Sequence, residues 1–247
     1  METFGIELEV SDLPIPTAQA LLNRAGLNWQ AKADGTRHVS AEAVSPVLTA
    51  ERLNEAKSAT RALRIGGATV NHKCGLHVHI GADEFGTEGI ANLVWNWNLA
   101  HRTIGALVAK SRLNNTFCLP VEIGSLNDQC EHVRNGFMSN LGRDGAGIAG
   151  GRYRSLNLNS YAKHGTVEVR LHHGTLNGSK VKAWAEFVSA MARYSSAGNL
   201  LSSNDGWHNP IEPKSKVREL LLILAHAGTL SGDTADYLIG RAEELAR

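Results

Sequence analysis

Apolar and polar residues alternate with a period of two in four short segments of the chain, which is the pattern of a strand with one buried face. These segments are residues 3–10, 76–80, 155–159 and 166–172. Successive side chains of a strand point to opposite sides, so each segment has one apolar face and one face of reactive polar residues. A fifth strand is predicted over residues 39–44, where a Ser-Pro pair ends it.

Helical periodicity predicts five helices between and after these strands. They cover residues 49–66, 87–108, 179–197, 214–227 and 234–245. The strands come first, helices are interleaved with them, and the end of the chain is helical. We therefore predict an α+β fold in which helices cover one face of a largely antiparallel sheet and leave the polar face open.

Length and charge limit the classes of protein that fit this pattern. The chain has 247 residues and a formal net charge of +1. This length predicts a single domain over residues 1–247, with a motif-bearing part over residues 1–177 and a helical part over residues 178–247. The near-zero charge gives no long-range attraction to nucleic acid or to an anionic membrane, so neither is expected as a partner.

Cysteine usage and the first residues bear on the compartment. Three cysteines without a CxxC spacing indicate neither a disulfide framework nor a cysteine zinc site. The sequence METFGIELEV lacks the pattern of a signal peptide, and no segment reaches the ~18 apolar residues that a membrane span needs. We expect a cytoplasmic protein.

The polar face of the predicted sheet carries residues that bind metals. Glu7 and Glu9 are two positions apart on the first strand, which is ~6.6 Å at the usual rise of a strand. His77 and His79 share this spacing. Carboxylates with one or two imidazoles suit Mg²⁺ or Mn²⁺, and zinc would also accept the histidines. One such pair is compatible with a solvated face or ordinary packing. The metal-site interpretation depends on the repetition of such pairs on separate strands.

Arginines accompany these residues. Arg170 and His172 alternate with apolar residues on the last predicted strand, and Arg112, Arg152 and Arg154 come from other segments. A guanidinium matches phosphate and carboxylate oxygens, and metals with arginines in one cleft are what phosphoryl transfer requires. A structural salt bridge would also explain Arg170.

Six segments resemble the motifs of the amidoligases, a family found in bacterial and phage genomes within the glutamine synthetase and glutamate–cysteine ligase superfamily. They follow the expected order, which is more specific than any single motif. The segments are FGIELE (4–9), DGT with AEAVSPVL (34–36 and 41–48), CGLHVHIG (74–81), SRLNNTFCLP (111–120), RYRSLNL (152–158) and GTVEVRLHHGTLN (165–177).

The resemblance implies a curved sheet with a polar concave catalytic face, like the catalytic domain of glutamine synthetase. It also implies roles for individual residues. The implied metal ligands are Glu7, Glu9, Glu42, His77 and Glu168. The residues implied to contact the nucleotide are His79, Arg112, Arg152, Arg154 and Asn157. The implied catalytic residues are Glu7, Glu9, Glu168 and Arg170.

The activity that this resemblance implies is an ATP-dependent carboxylate–amine ligase with Mg²⁺ or Mn²⁺. The carboxylate of a small molecule or peptide would be activated as an acyl phosphate and then attacked by an amine. The glycine-rich segment Gly142–Gly151 is interpreted as a surface loop, as a mobile flap that excludes water, or as a loop that contacts phosphate.

Two other functions stay open on the sequence. A cupin-like metal-dependent dioxygenase or hydrolase would use His77, His79 and Glu84 with a later histidine such as His132. The glycine that this motif needs six residues before its first histidine is Asn71 here. A catalytically inactive module would keep the fold and bind ATP without turnover.

Overall fold

The computed structural model describes residues 2–35, 38–121, 152–207 and 209–246. Within these ranges six strands form one sheet in which all neighbouring strands are antiparallel. Their order across the sheet is β2-β3-β1-β4-β6-β5. The strands are β1 (Phe4–Val10), β2 (Gln30–Lys32), β3 (Ala41–Val44), β4 (Gly75–Gly81), β5 (Leu156–Asn157) and β6 (Thr166–His173).

Helices occupy most of the remaining described chain, so the predicted α+β class with an antiparallel sheet is confirmed. Within the described ranges, every helix is too short or too polar to serve as a membrane span. The helices are α1 (Ile15–Arg24), α2 (Glu55–Ile65), α3 (Gly86–Ile104), α4 (Lys110–Leu113), α5 (Asn159–His164), α6 (Gly178–Ser196), α7 (Pro213–His226) and α8 (Gly232–Leu245).

Some elements differ from the sequence prediction. The helix expected over residues 49–66 begins as a 3₁₀ turn, Ala50–Asn54, and becomes α-helical only at α2. Helix α1 is not predicted by the apolar pattern because only Ala18 and Leu22 are buried among its residues. Strand β5 has two residues, since its backbone pairs with β6 only at Leu156 and Asn157.

A buried asparagine fixes the packing of α3 against the end of α6. The side chain of Asn96 is fully buried. Its amide nitrogen donates to the Ser195 hydroxyl and to the Asn199 carbonyl, both at 2.9 Å, and its oxygen accepts the Leu201 N–H at 2.8 Å. A buried amide with these partners stabilises one arrangement of the two helices, because shifting either helix would leave polar atoms unpaired.

Helix α3 also positions the strand at the far edge of the sheet. The indole N–H of Trp97 donates to the Ser155 hydroxyl at 3.0 Å, and Nδ1 of His101 lies 3.2 Å from the same oxygen. The Ser155 carbonyl accepts the Arg170 N–H at 2.9 Å. The core helix therefore fixes the start of β5, which carries Asn157, and the neighbouring part of β6.

Burial favours the uncharged form of the His101 imidazole. The side chain of His101 is buried, and this burial, with a smaller contribution from the Arg102 charge, lowers the pKa of His101 to about 4. An unfolded histidine titrates near 6.5. Between pH 6.5 and pH 4 the unfolded state binds a proton at His101 that the folded state does not. The free energy of unfolding is therefore highest above about pH 6.5 and decreases as the pH falls towards 4.

We predict that the free energy of unfolding falls when the pH is lowered from 7 to 4.5, and that His101→Gln removes about 2 kcal/mol of this fall. Urea unfolding of the wild type and of His101→Gln at pH 7 and pH 4.5 measures the two decreases in unfolding free energy. The surface variant His226→Gln serves as the control and should keep the wild-type fall. An equal fall in His101→Gln and wild type would contradict the prediction.

Candidate active site

The register of the sheet brings acidic and imidazole side chains from four strands together. Residues paired across antiparallel strands carry their side chains on the same face of the sheet. In this sheet three such pairs join β3, β1, β4 and β6. They are Glu9 with Glu42, Glu7 with His77, and His79 with Glu168.

The imidazole of His77 lies among the carboxylates. Its Nδ1 is 3.1 Å from Glu7 Oε2 and 3.7 Å from Glu168 Oε1, and its Nε2 is 3.4 Å from Glu9 Oε1. Only 3% of His77 is exposed, and Glu9 and Glu168 are also buried. We call Glu7, Glu9, Glu42, His77 and Glu168 the acidic cluster.

Two triads of the acidic cluster have ligand atoms within 4.8 Å of one another, the spread that one metal ion can bridge. The first is Glu7, His77 and Glu168, and the second is Glu9, Glu42 and His77. Carboxylate oxygens with one imidazole are a donor set for Mg²⁺ or Mn²⁺. Of the described residues, neither triad includes Glu84, the third residue of the cupin alternative, and His132 lies outside the described ranges.

The carboxyl groups of the acidic cluster differ in how their surroundings shift the pKa. Burial opposes ionisation of Glu7, but His77 and His79 hold the pKa of Glu7 well below its usual range. Burial and the Glu7 charge together raise the pKa of Glu42 to about 8, although Lys32 opposes this shift. A bound cation would offset both the burial and the charge of Glu7 that disfavour an ionised Glu42, so the donor set fits a divalent ion.

Glu168 is held by two side chains. Burial raises its pKa, but the charges of Arg170, His77 and His79 and the hydrogen bond from Asn157 together outweigh burial, so the pKa of Glu168 is lowered. Arg170 Nη1 donates to its Oε1 at 2.5 Å, and the amide of Asn157 donates to its Oε2 at 2.6 Å. Asn157, Glu168 and Arg170 therefore form one hydrogen-bonded unit at the edge of the acidic cluster.

The remaining predicted arginines have different surroundings. Arg112 is buried and donates to the backbone carbonyls of Leu171 and Arg170, at 3.3 and 2.7 Å. Its guanidinium thus braces β6, although it also lines a cavity. Arg154 donates to the Pro120 carbonyl at 3.1 Å.

The expected position of His172 is wrong. Strict alternation places it on the face of Glu168 and Arg170. Between Leu76 and Val78, however, the register of β4 against β6 shifts by one residue. A bulge turns the following side chains to the other face. His172 accordingly lies beside Trp184 of α6, with ring centroids 5.0 Å apart.

Two cavities adjoin the acidic cluster, one of about 670 Å³ and one of about 340 Å³. His77, Arg152 and Arg170 line both of them, so they meet beside these residues. The smaller cavity also contains Glu7, His79, Glu168 and Lys163, and its lining is mostly polar. The larger contains Glu9, Lys73, Arg112, Phe117 and Tyr153.

Lys32 is a site residue that the sequence pattern does not reveal. Its ammonium lies 3.2 Å from Glu42 Oε2 and 4.0 Å from Glu7 Oε1. It comes from β2, a strand of three residues at the edge of the sheet, which is too short for an alternation signal. The nearby DGT motif is the one indication in the sequence that this segment approaches the site. The glycine-rich segment Gly142–Gly151 lies outside the described residues.

The fold and site define an α+β protein with a buried cluster of ligands suited to divalent ions. A family model described as "Putative amidoligase enzyme" matches residues 20–192, from within α1 to within α6. The chain belongs to this amidoligase family. A search of curated proteins found no match.

A glycine beside His77 gives a test of the cluster geometry. A Cβ atom at Gly75 would lie 2.9 Å from His77 Nε2, so an alanine there would force the imidazole to move. We predict that Gly75→Ala weakens Mn²⁺ binding about 10-fold, because a displaced ligand costs affinity even when it is retained. Calorimetric titration with Mn²⁺ measures this effect.

The matched control is Gly35→Ala, since a Cβ at Gly35, which also lines the site, would contact nothing within 4 Å. Its Mn²⁺ affinity should equal that of the wild type. Wild-type affinity in Gly75→Ala would show that His77 does not hold the ion.

Proposed function

We propose that this chain is an ATP-dependent carboxylate–amine ligase that forms an amide bond through an acyl phosphate. The observation that carries the proposal is the convergence of Glu7, His77 and Glu168 beside Arg170 in a member of the amidoligase family. Cations held by carboxylates next to a guanidinium provide what phosphoryl transfer needs, which is positioning and neutralisation of charge.

The proposal extends to the fold and its setting. The sheet would be curved like that of the glutamine synthetase catalytic domain, with the acidic cluster on its concave face. The reaction would take place in a reducing cytoplasm, where the buried thiols of Cys74 and Cys118 stay free. The acid would be a small molecule or a peptide, and the amine a small molecule or an amino acid.

The two triads divide the metal ligands. Glu7, His77 and Glu168 would hold one divalent ion, and Glu9 with Glu42 would hold a second. When bound, the ions supply positive charge that screens the triphosphate of ATP. Arg170 and His79 would contact the γ-phosphoryl oxygens. Nε2 of His79 lies 3.5 Å from Glu7 Oε1, which places the imidazole beside the first triad.

The positions of the two cavities support an assignment of one substrate to each. The attacking and leaving oxygens of a phosphoryl transfer lie roughly in line, on opposite sides of the phosphorus. If the triphosphate occupies the smaller, polar cavity, the acid must approach from the larger one, with Arg170 at the junction. Arg152 also lines both cavities and could contact either substrate.

The chemistry then proceeds in two steps. The substrate carboxylate attacks the γ-phosphorus, which gives the acyl phosphate and ADP. The amine attacks the activated carbonyl, a carboxylate of the acidic cluster accepts its proton, and phosphate leaves. Arg170, whose guanidinium is hydrogen-bonded to Glu168, would stabilise the phosphate charge in both steps.

Hydroxylamine in place of the amine tests the activity directly. With ATP, Mg²⁺ and a panel of carboxylic acids, we expect a hydroxamate to form with one ADP released for each product molecule. A reaction without acid should release little ADP. If a folded, metal-loaded preparation gives neither hydroxamate nor ADP across a broad panel, the ligase proposal is wrong.

Removal of one ligand charge tests the metal assignment. We predict that Glu7→Gln and Glu168→Gln weaken Mg²⁺-dependent ATP binding at least about 10-fold, because an amide oxygen carries no charge to pair with the ion. Titration with a non-hydrolysable ATP analogue measures this loss, and circular dichroism verifies folding.

The control is Glu219→Gln, which removes a surface carboxylate paired with Lys216. Its nucleotide affinity should match the wild type. Site variants that unfold would instead indicate that the acidic cluster has a structural role.

A further inference from the structure

The larger cavity is bordered by two aromatic rings that the proposed chemistry does not use. Phe117 and Tyr153 both line this cavity, and each is 45% exposed. Their ring centroids are 5.4 Å apart and the ring planes meet at 81°. We call these two residues the aromatic wall. Aromatic surface left open to water in a ligand-sized cavity favours a ligand that covers it with apolar or flat surface.

Backbone hydrogen bonds hold the aromatic wall in place. The Leu119 N–H donates to the Tyr153 carbonyl at 3.1 Å, and the Ser155 N–H donates to the Leu119 carbonyl at 2.7 Å. Within the segment that carries Phe117, the Asn115 side-chain oxygen accepts the Phe117 N–H at 2.8 Å. These hydrogen bonds hold the two segments side by side, so the backbone that carries the rings is ordered before a ligand binds.

The wall is also joined to the charged groups at the junction of the cavities. The guanidinium of Arg152 lies over the Tyr153 ring, 5.1 Å from its centroid. Arg170 Nε donates to the Phe117 carbonyl at 3.5 Å. A ligand that packs on the wall therefore has its other end within reach of two guanidinium groups. This arrangement suits a molecule with an aromatic ring and a carboxylate.

We infer that the acid substrate carries an aromatic ring, which packs against Phe117 and Tyr153 while its carboxylate faces Arg170. The inference rests on the proposed function for the identity of the reacting group. The adenine of ATP is the other flat ring to consider. It is disfavoured at the wall because in-line transfer with the triphosphate in the smaller cavity leaves the larger cavity to the acid.

Equilibrium binding tests the inference without turnover. The probes are N-acetylphenylalanine and N-acetylcyclohexylalanine, which share a carboxylate and a similar apolar volume and differ in aromaticity. Each is titrated into the full chain by calorimetry with Mg²⁺ and without nucleotide. We expect the wild type to bind the aromatic acid about 5- to 10-fold more tightly than the saturated acid.

Variants of the wall locate the contact. Phe117→Leu and Tyr153→Leu should abolish the preference for the aromatic acid, and Tyr153→Phe should retain it, because the phenylalanine keeps the ring. The control is Tyr194→Leu in α6, which removes a ring that packs on the helical core and should leave the preference unchanged. Affinity for the Mg²⁺ complex of ATP should stay within about two-fold of the wild type in all three wall variants.

Three results would overturn the inference: no binding of the aromatic acid, equal binding of the two acids, or loss of ATP affinity in the wall variants, which would assign the wall to adenine. A failed proposed function gives a different result. In that case the ring preference and its loss in the wall variants persist, but no hydroxamate forms from any acid.

Discussion

Four carboxyl groups lie around the imidazole of His77, and the repulsion between their charges must be offset by the residues around them. Removing such charges from water costs several kcal/mol for each ion unless hydrogen bonds and opposite charges compensate. The structure provides a donor for each buried carboxylate. Glu9 accepts the Gly75 N–H at 2.6 Å, Glu168 accepts from Asn157 and Arg170, and Glu42 lies beside Lys32. Even so, the raised pKa of Glu42 shows that the compensation is incomplete.

The donors in turn depend on packing remote from the cluster. Arg170 is placed by β6, whose backbone carbonyls accept hydrogen bonds from the buried guanidinium of Arg112. Asn157 is placed by β5, whose start is tied through Ser155 to Trp97 and His101 in the core helix α3. Strand β5 has only two residues, so the links to α3 add to its pairing with β6 and to the hydrogen bond from the Asn159 N–H to Asn157 Oδ1.

Period-two alternation could predict the strands and the faces of Glu7, His77 and Glu168, because these strands are long enough to show the period and each has one buried side. It could not predict Lys32, which comes from a three-residue edge strand. It misplaced His172, because a change of register between paired strands leaves no mark in the sequence of one strand.

The sequence motifs also do not distinguish the roles of the predicted arginines. The motif resemblance selects Arg112, Arg152 and Arg154 equally, yet the first binds backbone carbonyls in the interior and the third binds the Pro120 carbonyl. A guanidinium has five donors, and tertiary packing decides whether they are used within the fold or remain for a ligand. Of these three, Arg152 lines both cavities.

The shared position of His77 has a consequence for the proposed two-metal site. A neutral imidazole has one lone pair for a metal, so His77 can complete only one of the two triads. Its Nδ1 faces Glu7 and Glu168, whereas its Nε2 faces Glu9. If the first triad takes the histidine, Glu9 and Glu42 are the cluster ligands left for the second ion. Two carboxylates satisfy a hexacoordinate cation only in part, so oxygens of water or of a substrate must complete its shell. The second ion would then bind most tightly together with the acid or the nucleotide, which couples metal occupancy to substrate binding.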